Sequence, residues 1–225
     1  MKKLFLSLAV ICFGLTSNAQ EIPAKEEIKG EVSSEVSALR LASELIKYGY
    51  AQEMALPLID AMQIIIDNPT QPLGSEKVGE NVTVSSKKSG NVTLNFDEVL
   101  ASAKKFAEGD DRLMALIDKV EMDSKAPSRG AVNGPKYTVD VVGPGSSDSY
   151  EVSFVANYLA EVGISGDGDT DLDLYIFDSK GNLIAADEDY TDDCYVYWFP
   201  PKTGRYQIVV VNRGRIPNKY ILLTN

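Results

Sequence analysis

Gly166-Asp167-Gly168-Asp169-Thr170-Asp171-Leu172-Asp173-Leu174-Tyr175-Ile176-Phe177-Asp178 opens as an acidic, glycine-spaced loop and closes as an apolar strand. Leu172, Leu174 and Ile176 alternate, so they share one face of that strand. Ser179-Lys180-Gly181-Asn182 then reads as a hairpin turn, with Leu183 to Ala186 as a short partner strand. Working outward, Tyr137–Val142, Tyr150–Val155, Tyr158–Ile164, Cys194–Phe199, Arg205–Val211 and Tyr220–Leu223 carry the same short alternating pattern. Ala160, Val162 and Ile164 share a face, as do Val152 with Phe154, and Cys194 with Val196 and Trp198. Seven or eight short strands at this spacing predict an antiparallel, jelly-roll-like β-sandwich over 137–225.

The residues before it have helical spacing. Val36, Leu39, Ala42 and Ile46 recur on one stripe, with Ser33 or Ser34 as cap and Gly49 as a left-handed end. Met54, Leu58, Met62, Ile65 and Ile66 form a second stripe, started or kinked at Pro57 and stopped by Asn68-Pro69. Asn95 caps a third helix through Phe106, and Asp110 or Asp111 begins a fourth with Leu113, Leu116, Ile117 and Val120. Two helical hairpins over 30–122 predict a small all-α domain. Between the hairpins, 69–94 reads as a loop with β tendency; Asn81-Val82-Thr83 and Asn91-Val92-Thr93 flank a candidate turn at 85–90. Pro127, Ser128, Gly130, Gly134 and Pro135 mark a linker over 123–136. The expected class is α + β as two domains.

Lys2 and Lys3, the apolar run Leu4–Leu15 and the small residues Ser17-Asn18-Ala19 form a secretory signal over 1–19. The run is too short to span a bilayer, and no later stretch replaces it, so no membrane insertion follows cleavage. The mature chain is expected to be secreted or periplasmic. Losing Lys2 and Lys3 takes the 22 basic residues to 20 against 33 acids, and the net charge from −11 to −13. Such a chain lacks the basic footprint that nucleic acid requires. Only Cys194 survives cleavage, which excludes an intrachain disulfide. There is no histidine, which removes Ser-His-Asp and Cys-His catalysis and metal sites built on imidazole.

Between Asp167 and Asp193 stand ten acids, Asp167, Asp169, Asp171, Asp173, Asp178, Asp187, Glu188, Asp189, Asp192 and Asp193, against Lys180 alone. Pairing of the strands around Gly181 brings the two acidic runs to one end of the hairpin. Clustered carboxylates repel, by roughly 1 kcal/mol per close exposed pair, and a calcium ion taking six to eight oxygens removes that cost. The alternative is a solvated acidic rim that keeps a sheet edge from pairing with neighbours. Asp167, Asp169 and Asp171 copy the first ligand positions of an EF-hand loop. Leu172 in place of the turn glycine, Asp178 in place of glutamate and flanking strands exclude that motif. Two carboxylates about 5–9 Å apart can hydrolyse glycans, but a glycine-rich exposed loop lacks the enclosed setting. Cys194 reads as a buried inert thiol. Tyr195, Tyr197 and Phe199 point to the opposite face, as a ligand-binding row or a packing surface.

The 137–225 segment resembles the bacterial pre-peptidase C-terminal domain family. The resemblance rests on Gly166 through Tyr175, the Gly181 turn, Asp193-Cys194 leading into an aromatic strand, Thr203-Gly204-Arg205-Tyr206, and Asn218-Lys219-Tyr220-Ile221-Leu222. It implies a non-catalytic β-sandwich carried by exported proteins, active in binding, targeting or assisting a peptidase, with calcium bound in some relatives. Carried over by position, Asp167, Asp169, Asp171 and Asp173 are the implied ligands; the hairpin argument adds Asp189. The family usually follows a catalytic domain, whereas here it follows helices. The expected function is therefore an exported, non-enzymatic binding or interaction protein with a protein or carbohydrate ligand and a calcium-stabilised module. The alternatives are an accessory or inhibitor-like partner of a secreted peptidase, and a carboxylate-dependent glycan hydrolase.

Overall fold

The structure, a computed structural model, describes residues 34–82, 91–126 and 134–225. The expected signal segment, Ser33, the turn at 85–90 and residues 127–133 of the expected linker lie outside the described residues.

Helix α1 spans Ser34–Gln52 and α2 spans Ala55–Asp67. The expected end of α1 at Gly49 is corrected, because the helix runs through it. A Cβ there would sit 2.6 Å from Leu58 Cδ2, so Gly49 permits α1 and α2 to approach. The left-handed residue is Glu53, at φ 51°. Pro57 stands in the first turn of α2, where a missing N–H breaks no helical bond. Helices α3 (Phe96–Phe106) and α4 (Asp111–Ser124) begin as expected: Asn95 Oδ1 accepts from the Asp97 and Glu98 amides, and Asp110 Oδ1 from those of Arg112 and Leu113.

Among the described residues nine strands form two sheets. They are β1 (Gln71–Pro72), β2 (Lys136–Val142), β3 (Ser147–Phe154), β4 (Ala160–Gly166), β5 (Leu172–Asp178), β6 (Leu183–Asp187), β7 (Asp193–Trp198), β8 (Gly204–Asn212) and β9 (Asn218–Thr224). One sheet has the order β1-β2-β9-β4-β7 and the other β3-β8-β5-β6. All pairings are antiparallel except β1 with β2. β1 falls in the stretch read as a loop with β tendency.

The sandwich core takes the predicted faces: Ala160, Val162 and Ile164; Leu172, Leu174 and Ile176; Cys194, Val196 and Trp198. Phe154, Trp198 and Tyr206 meet in it, with ring centroids 4.8–6.0 Å apart. The outer face of the five-stranded sheet is also covered. In β9, Tyr220 and Leu222 enter the sandwich core, while Ile221 and Leu223 join the helical core with Val36, Leu39, Ala42 and Ile46. The fold is mixed α + β. β1 lies among the helices in sequence and pairs with β2, and the outward side chains of β9 join the helical core.

Candidate functional site

Three connections converge beside the acidic stretch: β4–β5, β6–β7 and β8–β9. β5 and β6 pair as the hairpin turn predicts, with Leu174 opposite Asp187. This places Asp173 and Glu188 close enough for the Tyr175 hydroxyl to reach both.

The geometry gives most of these acids a structural partner. Asp167 is buried; its Oδ1 accepts from the Asp169 amide at 3.2 Å and its Oδ2 from the Lys219 amide at 3.2 Å. Gly168 turns the loop at φ 80°, and its amide donates to Asp192 Oδ2. Asp178 Oδ1 accepts from the Lys180 and Asn182 amides at 2.8 and 2.9 Å, closing the hairpin turn. Asp187 Oδ2 accepts from the Tyr195 amide at 2.8 Å. Asp189 Oδ1 accepts from the Thr191 amide and hydroxyl at 2.8 and 2.6 Å. Carboxylates fixed by local amides are turn formers, a role that spacing alone does not separate from metal ligation.

Two cations from distant sequence complete the arrangement. Arg213 Nε donates to the buried Asp173. Lys47 of α1 reaches Asp193 at 2.6 Å, and Asp193 also accepts from Ser165 Oγ, itself bonded by Ser43. Counting bases only within 167–193 misses both. The sequence reading also misses Asn212 and Asn218, which are fully buried. Asn218 donates to Thr170 O at 3.0 Å and Asp192 Oδ2 at 3.3 Å, and accepts from the Asp167 amide. Asn212 accepts from Thr170 Oγ1 and the Gly214 amide. Their only sequence signal is asparagine at the end of one strand and the start of the next.

Asp171 is the exception. Its Oδ1 is shielded from solvent and has no hydrogen-bond partner. Burial, then the charges of Asp173 and Asp189, push its carboxyl above the usual range. Asp167 is raised by burial and by Asp169 and Asp192. Asp178 is lowered, chiefly by the Asn182 side chain. Among the described residues no three acids or cysteines are arranged to hold a metal ion. Of the five ligands expected from the sequence, Asp171 keeps an open oxygen and Asp189, held by Thr191, acts on it through space; Asp167 and Asp173 are engaged elsewhere, and Asp169 gives its amide to Asp167. Cys194 is buried with its pKa raised by that burial, and its thiol donates to Leu172 O. Tyr195 lies under α1, with Arg40 stacked on its ring and its hydroxyl bonded to Glu161. Tyr197 and Phe199 remain partly exposed.

At the other end of β4, the β3–β4 turn borders a cleft of about 850 Å³ lined by Phe154, Val155, Tyr158, Leu159, Lys136 and Asn225, among others. Val155 is 56% and Tyr158 71% exposed. The turn is fixed to the β7–β8 connection: the Asn157 amide donates to Pro200 O at 2.8 Å and the Ala156 amide to Thr203 Oγ1 at 2.9 Å.

No protein-family model matches the chain, and no curated protein matches it in sequence. Among the described residues no helix is long and apolar enough to cross a membrane.

Proposed function

We propose that the mature chain is an exported, non-catalytic binding protein, secreted or periplasmic. Its strand segment is a jelly-roll-like module of the pre-peptidase C-terminal type. The observation that carries the binding role is the cleft at the β3–β4 turn. Its volume is that of a small-ligand or peptide-segment site, about 300–1,000 Å³. It presents an exposed aromatic ring, Tyr158, on a turn held by two hydrogen bonds. A flat ring on a fixed turn binds a sugar face or a peptide side chain with little loss of conformational freedom. The test is a titration of soluble glycans and extended peptides into isotopically labelled protein. A ligand is expected to shift the amides of Val155–Leu159, and Tyr158→Ala to weaken it about tenfold with the melting temperature unchanged. Shifts confined to other surfaces contradict the reading.

A second reading concerns the acidic end, and Asp171 favours it. A shielded carboxylate oxygen without a donor is stabilised by a cation. We infer a weak divalent-cation site anchored on Asp171 with Asp189 beside it. Two carboxylates with backbone oxygens suit the weak end of protein calcium sites, about 10⁻⁴–10⁻³ M. Calcium titration followed by carboxyl-carbon shifts tests it: Asp171 should respond at millimolar calcium, and an unmoved Asp171 signal contradicts it.

A further inference from the structure

Residues 73–80, between β1 and α3, form a strap over the edge of the sandwich. Leu73 N–H donates to Tyr137 O in one sheet, and Val78 exchanges two 2.8 Å backbone bonds with Ser149 in the other. Ser75 Oγ donates to Glu151 O. Beneath the strap lies Asp148, 1% exposed. Gly79 sits directly on it, since a Cβ there would fall 2.1 Å from Asp148 Oδ1.

Asp148 ends a chain of four buried or half-buried oxygens. Asp148 Oδ2 is 2.8 Å from Tyr220 Oη, Tyr220 Oη is 2.6 Å from Tyr150 Oη, and Tyr150 Oη is 2.8 Å from Asp140 Oδ2. Each contact is a hydrogen-bond distance and needs one proton. With both aspartates ionised, the two phenols supply two protons for three contacts. A third proton on a carboxyl completes the chain: Asp148 donates to Tyr220, Tyr220 to Tyr150, and Tyr150 to Asp140. Asp140 is the natural acceptor end, because Thr138 Oγ1 also donates to it at 2.9 Å.

We propose that Asp148 holds a proton when the strap is closed, and that this proton fastens residues 73–80 over the β2–β3 corner, so the clasp loosens as pH rises. Among the described residues, Lys77, Asp140, Tyr150 and Tyr220 face Asp148. Lys77 of the strap lies 3.5 Å from its Oδ2 while donating to Glu80 O and Val141 O. Asp140 comes from β2, Tyr150 from β3 and Tyr220 from β9. Burial raises the Asp148 pKa above 3.8, and Asp140 adds to the rise; Tyr220 and Lys77 oppose it, and burial prevails. The closed state thus binds the proton more tightly than an open one. Closure is strongest below the ordinary carboxyl range and weakens as pH rises through the raised value. Opening frees the β3 edge at Ser149, which the strap caps.

The test follows two readouts in the full mature chain. The carboxyl carbon of Asp148 should titrate above the ordinary value of about 3.9. Amide-exchange protection of Val78 and Ser149, corrected for the intrinsic pH dependence, should fall about tenfold for each pH unit by which that value is raised. In Asp148→Asn, where the amide can donate to Tyr220, the protection should become independent of pH. Titration of Asp148 at or below 3.9 overturns the proposal. So does equal protection at pH 4 and pH 7 in the unaltered protein, or a pH dependence that persists in Asp148→Asn.

Discussion

Arg40 lies across Gly163, with its guanidinium carbon 4.6 Å from the centroid of the Tyr195 ring. The glycine is there because a Cβ would stand 2.8 Å from Arg40 Cδ. This contact, with the Lys47–Asp193 pair and the Ser43–Ser165 bond, lays α1 along β4. Gly163→Val forces the arginine off the ring. It should destabilise the protein by about 1–3 kcal/mol, the usual cost of overpacking, as measured by urea unfolding.

The shared core makes a second prediction. Leu223 is fully buried against the helices although it lies on a sheet strand. Leu223→Ala should cost about 2–5 kcal/mol. Fluorescence of Trp198, in the sandwich, and far-ultraviolet helical signal should then shift to lower temperature together. A shift of the helical signal alone would mean that the two layers unfold separately.

Asn218, at the start of β9, ties together the β4–β5 and β6–β7 loops through its side chain, contacting Thr170 and the Asp167 amide in one and Asp192 in the other. Asn218→Ala removes the partner of the Asp167 amide and of Thr170 O, while Asp192 keeps the Gly168 amide, and should cost about 1–3 kcal/mol. Urea unfolding gives the value; a loss within experimental error would show that the loops do not depend on it.

Much of this architecture is legible in the chain, because strands and helices announce themselves by period. The Leu172–Ile176 alternation, the Asn95 and Asp110 caps and the β5–β6 hairpin all follow from local chemistry. What covers the outer sheet face does not. Its one signal is the unbroken apolar run Ile221-Leu222-Leu223, which suits a strand buried on both faces. The acidic end is half legible. Carboxylate clustering follows from the hairpin, but the partners Arg213, Lys47, Asn212 and Asn218 come from distant segments. Their contacts are tertiary, with no local spacing to reveal them.

Two acids at opposite ends of β5 should make stability depend on pH with opposite signs. Asp178 has a lowered pKa, so the stability it contributes is present above the ordinary 3.8 and lost as pH falls through the lowered value. Asp178→Ala should therefore lower the melting temperature at pH 7 and do less harm as the solution is acidified. Asp171 has a raised pKa, so the stability it contributes is present below 3.8 and lost as pH rises through the raised value. In chelator, Asp171→Asn should raise the melting temperature at pH 7, and the gain should disappear in acid. Melting curves between pH 3 and pH 7 check both.

The acidic stretch is a set of turn-forming carboxylates with one open position, Asp171. The most direct test is thermal unfolding of the protein at pH 7, in excess calcium and in chelator, beside Asp171→Asn. A ligand at a hundred times its dissociation constant stabilises the folded state by about 2.7 kcal/mol, about 5 °C or more for a chain of this size. The account predicts such a rise for the unaltered protein, and for Asp171→Asn a melting temperature that calcium leaves unchanged. A calcium-independent melting temperature in the unaltered protein, or an equal rise in Asp171→Asn, would contradict it.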